Sequence, residues 1–166
     1  GGIQYNNLKR AEFIYENLMI ETNIINSCYL CGVKNLIMLG SSCVYPRNCK
    51  QPIKEEYLLN GTLEKTNEPY AIAKIAGLEL CWAYNRQYGT RYLAAMPTNL
   101  YGINDNYNLD ISHVVPALIR KAHEAKISGA NSLIAWGTGV VRREFLFSSD
   151  FADACVFLLS MSEEQE

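Results

Sequence analysis

Tyr70 and Lys74 stand four residues apart in the stretch Asn67-Glu68-Pro69-Tyr70-Ala71-Ile72-Ala73-Lys74. Pro69 suits the first turn of a helix, where its missing N–H costs nothing. The run from Tyr70 to Tyr88 has no further Pro and is rich in Ala, Leu and Ile, which predicts a helix. On that helix the two side chains share a face. A cation beside a phenol favours the phenolate and lowers its pKa. A Tyr tuned in that way exchanges a proton with a substrate oxygen near neutral pH. Tyr70 and Lys74 are therefore the candidate catalytic centre. Tyr5 and Lys9 repeat the spacing beside Asn6 and Asn7. Taken alone, either pair is more simply a surface Tyr beside a Lys stem, and its surroundings must decide.

Those surroundings follow from the elements that must position the pair. Phe13, Ile14, Leu18, Met19, Ile24 and Ile25 have near-helical spacing, which predicts a helix within residues 8–31 that stops at Gly32. Asn35-Leu36-Ile37-Met38-Leu39-Gly40 is a short continuous apolar run, suited to a parallel strand covered by helices. It ends in Ser41-Ser42-Cys43, at the strand edge where open α/β sheets bind ligands. Residues 44–68 read as a long loop with a helical turn at Glu55 to Leu59. After the Tyr70 helix, Arg91 to Met96 reads as a second buried strand, ending in the polar turn Pro97-Thr98-Asn99-Leu100-Tyr101-Gly102. Residues 103–111 read as loop. A helix over Val114 to Lys126 follows, with Ser112 as its N-cap. Leu133 to Trp136 and Arg142 to Phe147 read as strands, and Asp150 or Ser149 is the expected cap of a last helix through Leu159. Alternating strands and helices predict an α/β fold with a parallel sheet.

In that arrangement Ser41 can donate a hydrogen bond to a substrate carbonyl oxygen, and Tyr70 can protonate the same oxygen as hydride arrives at carbon. Lys74 can hold a ribose hydroxyl. This Ser/Tyr/Lys set resembles the short-chain dehydrogenase/reductase superfamily in its extended, nucleotide-sugar branch. Longer strings sharpen the likeness. Gly40-Ser41-Ser42-Cys43-Val44-Tyr45-Pro46, Asn67 to Gly77, Tyr84-Asn85-Arg86-Gln87-Tyr88-Gly89, Met96 to Gly102, Ser112 to Leu118 and Trp136-Gly137-Thr138-Gly139 resemble the GDP-L-fucose synthase family, in the same order.

The resemblance implies a Rossmann-like, doubly wound parallel sheet and an enzyme that converts GDP-4-keto-6-deoxy-D-mannose to GDP-L-fucose. Carbons 3 and 5 are epimerised, and the 4-keto group is reduced with NADPH. It gives Ser41 and Tyr70 to the keto oxygen, Lys74 to the cofactor, and Cys43 and His113 to epimerisation as acid and base. A proton α to a carbonyl is acidic only while that carbonyl is polarised, so the groups must converge on one sugar. The NADP(H) contacts implied are Leu39, Gly40, Ser41, Ser42, Tyr70, Lys74, Pro97, Thr98, Asn99, Leu100 and His113. Lys121, Trp136 and Arg143 fall on the GDP-sugar. Arg143 reads as a diphosphate partner or, more simply, as a surface Arg. Lys121 stands where the family usually has Arg, which loses the planar fork. Phe145-Leu146 is followed by Phe147 rather than by the family's common His.

No Gly-x2-Gly-x2-Gly turn opens the chain, so the phosphate-binding first βαβ unit and part of the C-terminal substrate domain are expected to be missing. The 166 residues then read as an internal fragment, inactive alone, of a roughly twofold longer protein. The parts are a partial NADP-binding domain over 1–102 with the Tyr/Lys helix, a partial substrate region over 103–147, and a returning helix over 148–166. The resemblance implies a homodimer at full length. Two other readings stand beside it. One is a nucleotide-sugar 4-epimerase or 4,6-dehydratase, which needs Ser/Tyr/Lys but not Cys43 with His113. The other is a non-enzymatic remnant held by a partner.

Composition narrows the class. With 49% hydrophobic and 19% charged residues the chain is globular, and a net charge of −2 gives no field for nucleic acid. No apolar run is long enough to cross a membrane and no signal peptide is visible. Six Cys are scattered, and Cys28-x2-Cys31 has no second pair and no His at finger spacing, so no metal is expected. Thiols without a disulfide framework suit a reducing cytoplasm.

Overall fold

The computed structural model describes residues 3–161. The first apolar stretch forms a short helix α1 (Ile3–Leu8) and a long helix α2 (Arg10–Leu30). Gly32 ends it with φ +73°, a left-handed turn that glycine adopts without steric cost. Strand β1 (Asn35–Leu39) follows, then a 3-10 turn at Ser42–Val44 and a second at Glu55–Tyr57 within the expected loop. Helix α3 (Glu68–Tyr88) carries Pro69 in its first turn and stops at Gly89, φ +63°. It crosses back to strand β2 (Arg91–Ala95), which pairs parallel with β1, Leu39 opposite Ala95. This is the expected strand–helix–strand unit with the Tyr70 helix as its crossover.

The core lies between that sheet and the two long helices. Ile25 comes from α2, Met38 from β1, Val44 from the 3-10 turn, Ile75, Leu78 and Cys81 from α3, and Tyr92 from β2. Asn85 locks the end of α3 to β2. Its Oδ1 accepts from Tyr92 N and Thr90 Oγ1, and its Nδ2 donates to Tyr92 O. Buried polar groups paired in this way fix register without a desolvation penalty.

Beyond β2 come β3 (Asn99–Tyr101), α4 (Val114–Ser128), β4 (Phe145–Phe147) and α5 (Ser148–Ser160). The strands among the described residues form two parallel pairs, β1–β2 and β3–β4. Parallel strands joined by helices give the α/β class expected.

Five local readings change. Helix α5 starts at Ser148 with Phe147 as its N-cap, ahead of the Ser149 or Asp150 cap expected. Residues 99–101 belong to a strand rather than to the polar turn expected there, because β4 offers a parallel partner. Leu133 to Trp136 is not a strand. Ile134 O accepts instead from the Lys121 ammonium at 2.9 Å, so its carbonyl is satisfied without a ladder. The strand expected over Arg142 to Phe147 shortens to its last three residues. The cap of α4 is His113, not Ser112, whose buried Oγ has no hydrogen-bond partner.

Candidate active site

The site is built on the carboxyl end of β1. Gly40 N donates to Ala95 O at 2.8 Å, extending the ladder one residue past the strand. A Cβ at Gly40 would lie 2.5 Å from Met96 Sδ and 3.2 Å from Ala95 O. A side chain at Gly40 would have to displace Met96 and crowd the Ala95 carbonyl. Ser41 then caps the 3-10 turn, its Oγ accepting from Cys43 N at 3.4 Å. Ser42 is exposed and Cys43 half-buried. Burial pushes the Cys43 thiol up, while the Ser41 hydroxyl and the Lys74 charge pull it back.

Tyr70 enters from the first turn of α3, its ring edge-to-face with Phe13 of α2 at 6.2 Å. Lys74, one turn on, places Nζ 5.6 Å from the Tyr70 ring centroid. The spacing therefore does what the sequence promised geometrically. Its electrostatic expectation is overturned. The phenol is pushed up to about 12, first by burial and then by Cys43 and Glu21, with only the Ser41 hydroxyl drawing it down. The Lys74 ammonium is committed elsewhere, 2.9 Å from Leu39 O and 2.9 Å from Glu21 Oε1. Tyr70 thus holds its proton at neutral pH, as a general acid must.

Glu21 is the residue that sequence reasoning missed. Its side chain is 6% exposed, on α2, one turn before the buried Ile25. Burial raises its pKa and Lys74 pulls it down. A carboxylate one helical turn before Ile25, within the near-helical apolar spacing, was the available signal, since such a group is rarely buried unpaired.

The other expected residues divide into those that gather and those that do not. Pro97 and Thr98 are half-buried in the turn after β2, whose Met96 lies against Gly40. Asn99 and Leu100 are drawn into β3, where Asn99 Nδ2 donates to Glu144 O at 3.0 Å. Lys121 and Trp136 come together, the ammonium 5.1 Å from the indole, and both line a shallow cleft beside α4. Arg143 is exposed, its Nη1 donating to Arg142 O. His113 is exposed at the start of α4, and among the described residues no hydrogen bond or ion pair links it to the β1 site. Partial burial of its ring lowers its pKa, against a raising pull from Asp105.

A nicotinamide cofactor can be tested against these residues. Lys74 Nζ carries three N–H donors, of which Leu39 O accepts one, while Glu21 Oε1 faces the ammonium as an ion pair at 2.9 Å. A remaining N–H lies beside Tyr70 and the exposed end of β1, where a ribose hydroxyl would find a donor.

The whole chain, residues 1–166, matches the model of the NAD dependent epimerase/dehydratase family. The chain belongs to that family. It is 57% identical over 166 residues to the GDP-L-fucose synthase of Sinorhizobium fredii, covering 100% of this chain and 53% of that protein. Among solved structures, a GDP-L-fucose synthetase from Naegleria fowleri bound to NADP is 34% identical with a TM-score of 0.83, over 100% of this chain and 58% of that one. A GDP-mannoheptose C4 reductase from Campylobacter jejuni with NADP bound is 36% identical with a TM-score of 0.84, over 100% and 60%. The chain thus spans about half the length of the curated relatives it matches.

Proposed function

We propose that this chain, in a protein of its relatives' length, converts GDP-4-keto-6-deoxy-D-mannose to GDP-L-fucose. The observation behind this is the gathering of Ser41, Cys43, Tyr70 and Lys74 at one strand end, in a chain 57% identical to a GDP-L-fucose synthase throughout. NADPH, when bound, supplies the hydride for the 4-keto carbon. Ser41 and Tyr70 polarise the keto oxygen, and the Tyr70 phenol, protonated at neutral pH, delivers its proton there. Lys74 offers its remaining N–H to the ribose. Polarising the same carbonyl acidifies the protons at carbons 3 and 5, which Cys43 and His113 remove and return. Lys121, Trp136 and Arg143 would hold the nucleotide end, Lys121 by charge rather than by a bidentate fork.

In this reading residues 1–102 are the cofactor half and 103–147 the substrate region; of the segment 148–166, Ser148–Ser160 is the returning helix and 162–166 lie outside the described residues. Alone, the chain would bind NADPH weakly, since no glycine-rich turn offers its pyrophosphate a helix N-terminus. Exposed Tyr15, Met19, Ile20 and Ile24 on α2 support pairing with a second copy. No helix among the described residues is long and apolar enough to cross a membrane, and all six thiols are free, which supports a reducing cytoplasm.

The test is a chimera carrying this chain between the flanking segments of the Sinorhizobium fredii relative. It is incubated with NADPH and either GDP-4-keto-6-deoxy-mannose or UDP-galactose, and products are read by NMR. GDP-L-fucose from the first supports the proposal. Turnover of the second alone would assign the chain to the 4-epimerases.

A further inference from the structure

We propose that Glu21 is a positioning residue for Lys74, its buried carboxylate on α2 holding the ammonium at the end of β1 so that one N–H is left for the reaction. The inference rests on the role proposed above for Lys74. The geometry starts with reach. A Lys side chain has four methylenes and many rotamers, so an ammonium fixed in place needs anchors on more than one side. Leu39 O, at 2.9 Å, holds Nζ from the strand, and Glu21 Oε1, at 2.9 Å, holds it from α2. The Lys74 side chain is 14% exposed, so water does little to share the ammonium's charge.

The fold makes room for this contact specifically. One face of α3 runs Tyr70, Lys74, Gly77, Cys81, and Glu21 lies across it. Gly77 has no Cβ, and a Cβ there would stand 2.5 Å from Glu21 Oε2. Neither carboxylate oxygen has a hydrogen-bond partner among the described residues, and Oε1 meets the Lys74 ammonium as an ion pair at 2.9 Å. A group meant only to tie α2 to α3 would be expected to satisfy its oxygens with hydrogen bonds. The partner this carboxylate does have is the charge of the catalytic Lys. Glu21 also bears on Tyr70, whose phenol its charge helps to keep protonated.

The experiment separates positioning from simple cross-bracing. In the full chain, labelled with 15N-Lys and 13C-Glu, the Glu21 carboxyl and Lys74 Nζ resonances are followed through acid titration. The other titratable groups facing the pair are Cys43, Tyr70 and Cys81, all of which are raised and titrate in the alkaline range. Lys74 Nζ is expected to move with the same midpoint as Glu21, above the ordinary glutamate value. An Nζ resonance indifferent to Glu21 overturns the proposal, and this wild-type measurement decides even if variants fail to fold.

The second arm uses the chimera. Glu21→Gln is expected to lower kcat by about 10² with KM for the GDP-sugar unchanged, the loss typical of a misplaced catalytic group. Glu21→Asp is expected to restore part of it. A folded Glu21→Gln chimera with unchanged kcat reduces the pair to a brace and overturns the proposal. A chimera inactive even as wild type counts against the proposed function, while the titration still reports on Glu21 and Lys74.

Discussion

Gly77 and Glu21 compete for one space: a Cβ at Gly77 would stand 2.5 Å from Glu21 Oε2 and 2.5 Å from Met38 Cε. In an ordinary helix interior, Gly to Ala gains about 1 kcal/mol of propensity. Here the added methyl must displace a buried carboxylate and a core methionine, and overpacking of that kind costs about 1–3 kcal/mol. Gly77→Ala is therefore expected to destabilise the chain, against propensity, in urea unfolding. A more stable variant would show that Glu21 moves aside freely.

The Glu21–Lys74 pair calls for a double-mutant cycle. Breaking a buried ion pair from one side costs about 3–5 kcal/mol, because the other charge is left uncompensated. Lys74→Met strands Glu21, which is 6% exposed, so this single change is expected to be severe. Adding Glu21→Gln removes the stranded charge. The double variant should be more stable than Lys74→Met alone, giving a large coupling energy. Additive losses in urea denaturation would mean that the two charges do not feel each other.

Alkaline stability follows from the raised phenol and thiol. Tyr70 is raised from 10.0 to about 12 and Cys81 from 9.0 to about 11, both mainly by burial. A pKa higher in the folded state means that folding binds the proton more tightly. The stability linked to it is complete below the unfolded pKa and is lost as pH rises through the folded one. Unfolding free energy should thus fall from about pH 9 to about pH 12, Cys81 acting first. Tyr70→Phe should flatten the upper part of that fall. An unchanged slope would place the Tyr70 phenol in water.

The sequence was informative where a local rule met no competitor. Pro69 and Gly89 bounded α3, the apolar run 35–39 became β1, and Gly32 ended α2. It was poor where the outcome depended on a distant partner. Asn99 to Tyr101 became strand because β4 lies beside it, and Leu133 to Trp136 did not because Lys121 takes a carbonyl there. The site shows the same division. Spacing put Lys74 beside Tyr70, yet the phenol is not acidified: burial raises it first, Cys43 and Glu21 add to the rise, and the ammonium sits against Glu21, fifty-three positions away from Lys74. A pair rule read along one helix has no access to a carboxylate arriving from another.

Tyr70→Phe in the chimera is expected to lose 4-keto reduction by a factor of about 10²–10⁴, the range for a general acid. NADPH affinity should change little, since Lys74 keeps its bonds to Leu39 O and Glu21. Stopped-flow reduction and a fluorescence titration measure the two quantities separately. Near wild-type turnover in the Phe variant removes Tyr70 from the mechanism.

Cys43 and His113 are expected to act in epimerisation and not in reduction. Cys43 lies two residues beyond Ser41 on the same 3-10 turn, so any sugar reaching Ser41 and Tyr70 lies near the thiol. His113 opens α4, far along the chain, and would meet the sugar from another direction. Burial raises the thiol's pKa and lowers the imidazole's. At neutral pH the pair therefore offers a protonated group and a neutral base, the two states an inversion of configuration needs. Hydride transfer calls on neither, since Ser41, Tyr70 and Lys74 serve the keto oxygen and the ribose. Cys43→Ser or His113→Asn in the chimera should suppress exchange of substrate protons with D₂O at carbons 3 and 5. Direct reduction at carbon 4 should survive and yield an unepimerised 6-deoxy sugar. NMR of the product and of recovered substrate reads both outcomes. Wild-type exchange at both carbons in both variants would return Cys43 to a packed thiol and His113 to a helix cap.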